Sequence, residues 1–167
     1  MTFDLALDSV IRQARHLLFA FDGPIRSMDK AKPAESTAVT APTSTYLFET
    51  LAACRESGRS VVVISANSPS DIRAYLDAHN LSTQATVVAA SIGEAASTLE
   101  ASPADCLVIT SSLADIEAAR VAGAPSIGYA RTPDDAAHLV DAGAIAFVYS
   151  MAALALRLRT HVVKREL

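Results

Sequence analysis

The sequence predicts an α/β domain: a mainly parallel sheet of about six strands, doubly wound by helices into a three-layer sandwich. Three observations predict it. Short, continuously apolar runs recur at residues 16–21, 61–64, 86–89, 106–109, 126–130 and 146–149. Segments with helical spacing of apolar positions alternate with them. Ser, Thr, Pro and Gly punctuate the boundaries. A strand covered on both faces reads as an unbroken apolar run, and parallel neighbours need a crossover, usually a helix.

The elements follow in order. Residues 3–14 have helical spacing and form a leading helix. Residues 16–21 are the first strand, and residues 26–43, rich in Ser, Thr, Ala, Pro and Lys, form a loop. Ser44 is a suitable N-cap for a helix over 45–57, closed by Gly58. After the strand at 61–64, Ser68-Pro69-Ser70-Asp71 opens a helix to His79, with Pro69 suited to the first turn. The strand at 86–89 leads to a helix over 93–100. The strand at 106–109 leads to one over 113–122, ended by Gly123. The strand at 126–130 precedes a helix at 133–142, and the strand at 146–149 precedes a closing helix over 151–167. The architecture is Rossmann-like, one domain over residues 1–167.

Bulk composition bounds the function. With 51% apolar and 19% charged residues and a net charge of -4, the chain is expected to be globular rather than disordered. Its 14 Lys and Arg are dispersed, so no basic patch for nucleic acid or anionic lipid is expected. Residues 1–10 carry Asp4 and Asp8 without the basic start of a signal peptide. No run approaches the roughly 18 apolar residues of a membrane span, so the cytoplasm is the expected compartment. Cys54 and Cys106 are far apart and are expected as buried free thiols. His16, His79, His138 and His161 lack metal-ligand spacing.

Parallel sheets bind ligands at the carboxyl ends of their strands. The residues after each run therefore carry the chemistry. They are Asp22-Gly23 after the first, Ser65-Ala66-Asn67 after the second, and Ser111-Ser112 with Asp115 after the fourth.

In this order the segments resemble the haloacid dehalogenase (HAD) superfamily of phosphatases and hydrolases. Leu17-Leu18-Phe19-Ala20-Phe21-Asp22-Gly23 is similar to the first HAD motif, an apolar strand running into Asp-x-Asp-Gly. Ser65 falls where the family places a phosphate-binding Ser or Thr. Thr110-Ser111-Ser112-Leu113-Ala114-Asp115-Ile116-Glu117-Ala118-Ala119 is similar to the fourth motif, Gly-Asp-Ser-x-x-Asp-Ile-x-Ala-Ala. The resemblance covers residues 16–155 and implies a phosphoryl-transfer ancestry.

The departures imply loss of that chemistry. Ala20 stands where the resemblance puts the nucleophilic Asp, and a methyl group cannot attack phosphorus. Ser111 stands where it puts a Mg²⁺-binding Asp, and a neutral hydroxyl is a poor substitute at a hard divalent cation. The phosphate-neutralising Lys would fall near Thr86, yet no Lys lies between Lys32 and Lys164. The Mg²⁺ site is expected to be lost, with no other metal or cofactor in its place. The three losses together argue for natural degeneration rather than a single engineered change at Ala20. Only a loop and one helix separate Gly23 from Val61, so no large cap is expected over the crevice.

Asp22, Gly23, Ser65, Ala66, Asn67, Ser111, Ser112 and Asp115 are the expected ligand-binding residues. The implied function is a catalytically degenerate binding or accessory subunit. A partner protein or a second copy would cover the open crevice, or a small anionic ligand would sit at strand-end amides. A metal-independent enzyme using Asp22, and Asp115, as acid and base is the alternative from another class. Residual phosphatase activity is a third. Ser111-Ser112 has no nucleophile elbow around it and suggests no hydrolase triad.

Overall fold

Residues 2–26, 47–85 and 87–161 are described in a computed structural model. Six parallel strands form one sheet in the order β3-β2-β1-β4-β5-β6. They are β1 (His16–Ala20), β2 (Ser60–Ile64), β3 (Val87–Ala89), β4 (Cys106–Thr110), β5 (Ser126–Tyr129) and β6 (Ala146–Val148). The helices are α1 (Thr2–Gln13), α2 (Leu47–Glu56), α3 (Pro69–Ala78), α4 (Ile92–Thr98), α5 (Leu113–Ala122), α6 (Pro133–Ala142) and α7 (Met151–Thr160).

Alternation along each strand divides two cores. Leu17 and Phe19 of β1, Val61 and Val63 of β2, and Leu107 and Ile109 of β4 face a large cluster with α1, α2, α3 and α7. Their neighbours Leu18, Ala20, Val62, Ile64, Cys106 and Val108 face α4 and α5, which present mainly small residues, Ala95, Ala96 and Ala119. A third cluster packs Ile116 of α5 on Ala136 and Leu139 of α6. At Gly128 of β5 a Cβ would stand 2.9 Å from Leu139 Cδ1, so glycine lets α6 approach the sheet.

The chain runs outward from β1 to β3, returns to the centre at β4, and runs outward the other way to β6. The crossovers before and after this reversal lie on opposite faces. A crevice therefore opens between the carboxyl ends of β1 and β4. Hydroxyl N-caps follow four strands: Ser91, Ser112, Thr132 and Ser150 each accept a hydrogen bond from the amide three residues on. Each cap stabilises its helix by about 1 kcal/mol and fixes the post-strand turn.

Arg59 is buried at the start of β2 and supports the opposite end of the sheet. It donates from Nε to the carbonyl of Ala14 (2.9 Å) and from Nη2 to that of Ile11 (2.8 Å). A cation thus closes the C-terminus of α1, where carbonyls lack helical partners.

The predicted helix at 93–100 begins at Ile92 and ends at Thr98, and Glu100 turns out of it with φ of 54°. A 3-10 turn at Pro103–Asp105, capped by Ser102, was not anticipated. The rest of the predicted order stands, and Gly58 and Gly123 close α2 and α5 with φ of 85° and 83°. Residues 27–43 of the predicted loop, the cap residue Ser44, residues 45–46 of the predicted second helix, Thr86 and residues 162–167 of the closing helix lie outside the described residues. Cys54 and Cys106 are buried free thiols, both pushed up in pKa by burial. Among the described residues no helix is long and apolar enough to cross a membrane.

Candidate functional site

A cavity of about 770 Å³ occupies the crevice and is lined from the ends of β1, β2, β3, β4 and β5. Ala20, Asp22, Gly23, Ser65, Ala66, Ser111, Ser112 and Asp115 all line it. Residues separated by more than ninety positions thus converge because parallel strands bring every post-strand turn to one edge.

The turn after β1 is closed by its own backbone. Arg26 N donates to Phe21 O and Gly23 N donates to Arg26 O, both at 2.7 Å. This brings Arg26 back onto Asp22, whose Oδ1 accepts from Nε at 3.0 Å and from Nη2 at 2.5 Å. The guanidinium also lies 5.0 Å from the centre of the Phe21 ring. Asp22 is therefore held in an ion pair at the rim.

Gly23 joins this turn to the one after β4. Its φ is +102°, and a Cβ there would lie 2.9 Å from both Cβ and Oγ of Ser111. Ser111 is fixed in turn: its hydroxyl donates to the carbonyl of Tyr129 at 2.7 Å. Asp115 is tied back to its strand. Its Oδ2 accepts from the buried Thr110 hydroxyl at 2.8 Å, and Thr110 Oγ1 accepts from Ser112 N at 3.1 Å. Ser112 completes the turn by accepting from Asp115 N at 3.3 Å.

Asn67 does not line the cavity. It faces a smaller depression of about 220 Å³ beside Phe21, Arg26 and Tyr75. Its backbone amide donates to Ser65 Oγ at 3.0 Å, so it orients Ser65 from the turn.

Residues the sequence reading passed over complete the wall. Ala90, Ser91, Ile92 and Gly93 follow β3, and Tyr129 and Arg131 stand at the end of β5. The post-strand rule applied to those two strands would have found them. Ala118 and Ala122 line the cavity from α5, spaced one helical turn apart. Burial holds the Tyr129 phenol above its ordinary pKa.

Among the described lining residues Arg131 is the only cation, and Asp135 Oδ2 lies 3.8 Å from its Nε. Asp22 and Asp115 supply two carboxylates. Lys30, Lys32 and Lys164 lie outside the described residues. Among the described residues no group of three or more His, Cys, Asp or Glu is placed to hold a metal.

No family model and no curated protein matches the sequence. Solved structures do. A HAD family hydrolase from Deinococcus radiodurans, solved with bound phosphate and sodium, aligns over 92% of this chain and 100% of its own at TM-score 0.71 and 20% identity. The fold is that of the HAD-like hydrolases. A putative beta-phosphoglucomutase from Thermotoga maritima covers 87% of this chain and 99% of its own, at TM-score 0.69 and 14% identity. A predicted phosphatase from Clostridium acetobutylicum covers 87% and 98%, with the same TM-score and identity. Within this HAD fold, Ala20 ends β1 and Ser111 follows β4, side by side at the switch in strand order.

Proposed function

We propose that this chain is a HAD-fold protein that binds at its strand-end crevice and does not transfer phosphoryl groups. One observation carries this: the two positions where the resembled reaction needs acidic side chains are Ala20 and Ser111, and the two remaining carboxylates are already engaged. Asp22 pairs with Arg26 and Asp115 accepts from Thr110. The donor set does not fit Mg²⁺, which favours carboxylate oxygens in near-octahedral geometry. A hydroxyl held on the Tyr129 carbonyl and an aspartate held by a guanidinium are poor ligands.

Many lining residues, among them Ala66, Ser91, Ala118 and Arg131, are exposed. The crevice is thus open to a ligand, to a second copy of the chain, or to a partner protein acting as its cover. An accessory-subunit role is the form this reading takes where a partner protein is that cover.

Native mass spectrometry of the protein from its own host lysate tests this. The expected spectrum shows a non-covalent adduct, a second polypeptide at fixed stoichiometry or a small molecule, that Ala122→Trp removes by filling the crevice. A bare chain, or an adduct indifferent to Ala122→Trp, would contradict it.

A further inference from the structure

The polar atoms of the crevice point to a ligand class, on the reading above that the crevice binds without phosphoryl transfer. Of the four serines that line it, three accept a turn amide, one after each of β2, β3 and β4: Ser65, Ser91 and Ser112. Each oxygen accepts a backbone amide, from Asn67 at 3.0 Å, Glu94 at 3.1 Å and Asp115 at 3.3 Å. No acceptor among the described residues takes their O–H hydrogens. The Ser111 hydroxyl is spent on the Tyr129 carbonyl and that of Thr110, outside the lining, on Asp115, while Tyr129 adds a phenol to the lining residues.

The crevice therefore presents three hydroxyl donors above a wall of Ala20, Ile64, Ile92, Ala118 and Ala122. Donors call for acceptor oxygens on the ligand. A wall of methyl and methylene groups calls for an apolar body, and the volume suits a small molecule. Among the described residues, the lining carboxylates Asp22 and Asp115 with Asp135 stand against Arg26 and Arg131, and this excess of one negative charge disfavours an added anion.

We propose that the crevice binds an uncharged small molecule with a largely apolar body and carbonyl acceptors, an amide or an ester, in preference to a phosphate-bearing one. The serine hydroxyls donate to its carbonyl oxygens, and the alanine and isoleucine wall covers its body.

A matched pair of probes tests this: acetanilide and phenyl phosphate, which share a ring and differ in the head group. Each is titrated into the full-length ¹⁵N-labelled chain while amide shifts and the ³¹P spectrum are recorded. Acetanilide is expected to shift the amides of Ser65, Ser91 and Ser112, with a Kd about tenfold or more below that of phenyl phosphate. Ser91→Asp and Ser112→Asp keep a helix-capping oxygen but remove the hydroxyl donor. Each is expected to weaken acetanilide about fivefold or more with the melting temperature held. Ala118→Trp, on an exposed position of α5, is expected to abolish the shifts.

Phenyl phosphate binding as tightly as acetanilide, or acetanilide shifting none of the three serines, would overturn the ligand class and leave the non-hydrolytic reading standing. Release of inorganic phosphate in the ³¹P spectrum would instead overturn that reading.

Discussion

Replacing Gly23 by alanine should loosen the site, because Gly23 is where the turns after β1 and β4 touch. Two costs add. The residue has φ of +102°, and an L side chain in left-handed backbone costs roughly 1–2 kcal/mol. The new Cβ would also meet Ser111 Cβ and Oγ at 2.9 Å. Ser111 cannot yield freely, since its hydroxyl is fixed on the Tyr129 carbonyl at 2.7 Å. Overpacking of this kind costs about 1–3 kcal/mol. The sum is about 2–5 kcal/mol, or roughly 4–20 °C in melting temperature for a chain of this size.

Urea denaturation followed by circular dichroism reads the loss, and a double-mutant cycle separates its parts. Ser111→Gly removes both contacting atoms, so Gly23→Ala in that background should cost only the backbone term, with a coupling of about 1–3 kcal/mol. A loss below about 0.5 kcal/mol, or the same loss in both backgrounds, would refute the contact between the two turns.

Two further outcomes follow from the buried polar groups. Arg59→Ala removes two charge-assisted hydrogen bonds to the end of α1 and should cost about 2–4 kcal/mol by urea denaturation. Arg59→Lys should recover little of this, because an ammonium lacks the planar fork that reaches both carbonyls. His16 is held below its ordinary value of 6.5, mainly by burial, and its Nδ1 has no hydrogen-bond partner among the described residues. Below pH 6.5 the unfolded chain takes up this proton before the folded one does, so folding stability is full above that value and declines as pH falls beneath it. The urea midpoint should drop from pH 7.5 to pH 5 in the wild type, and less in His16→Gln.

The sheet was legible because burial on both faces leaves a plain trace. Leu17 and Phe19 serve one core and Leu18 and Ala20 the other, so the strand reads as unbroken apolar residues. The post-strand rule then gathered eight separated residues, seven of which line one cavity with Ala20. The start of α4 was also written in the sequence, as Ser91 with Glu94 three residues on, a capping pattern the reading overlooked. Its end was not, because Glu100 takes a positive φ that favours glycine.

The contacts on which the proposed function rests were hidden. Arg26 reaches Asp22 through a turn rather than along a helix face. Thr110 falls just past the predicted strand at 106–109, and nothing in the spacing shows that its hydroxyl holds Asp115. Asn67 shares its segment with Ser65, yet it faces the neighbouring depression. Nothing in the spacing of Arg59 announces that it closes α1. Such contacts depend on side-chain directions across elements, which periodicity does not encode.

The most direct measurement is steady-state turnover of a phosphate-ester panel by the repurified wild-type chain with Mg²⁺, beside Asp22→Ala as control. The expected result is turnover at the buffer background for both proteins, because Ala20 offers no nucleophile and Ser111 no metal carboxylate. Magnesium-dependent release of phosphate by the wild type, surviving repurification and abolished in Asp22→Ala, would contradict it.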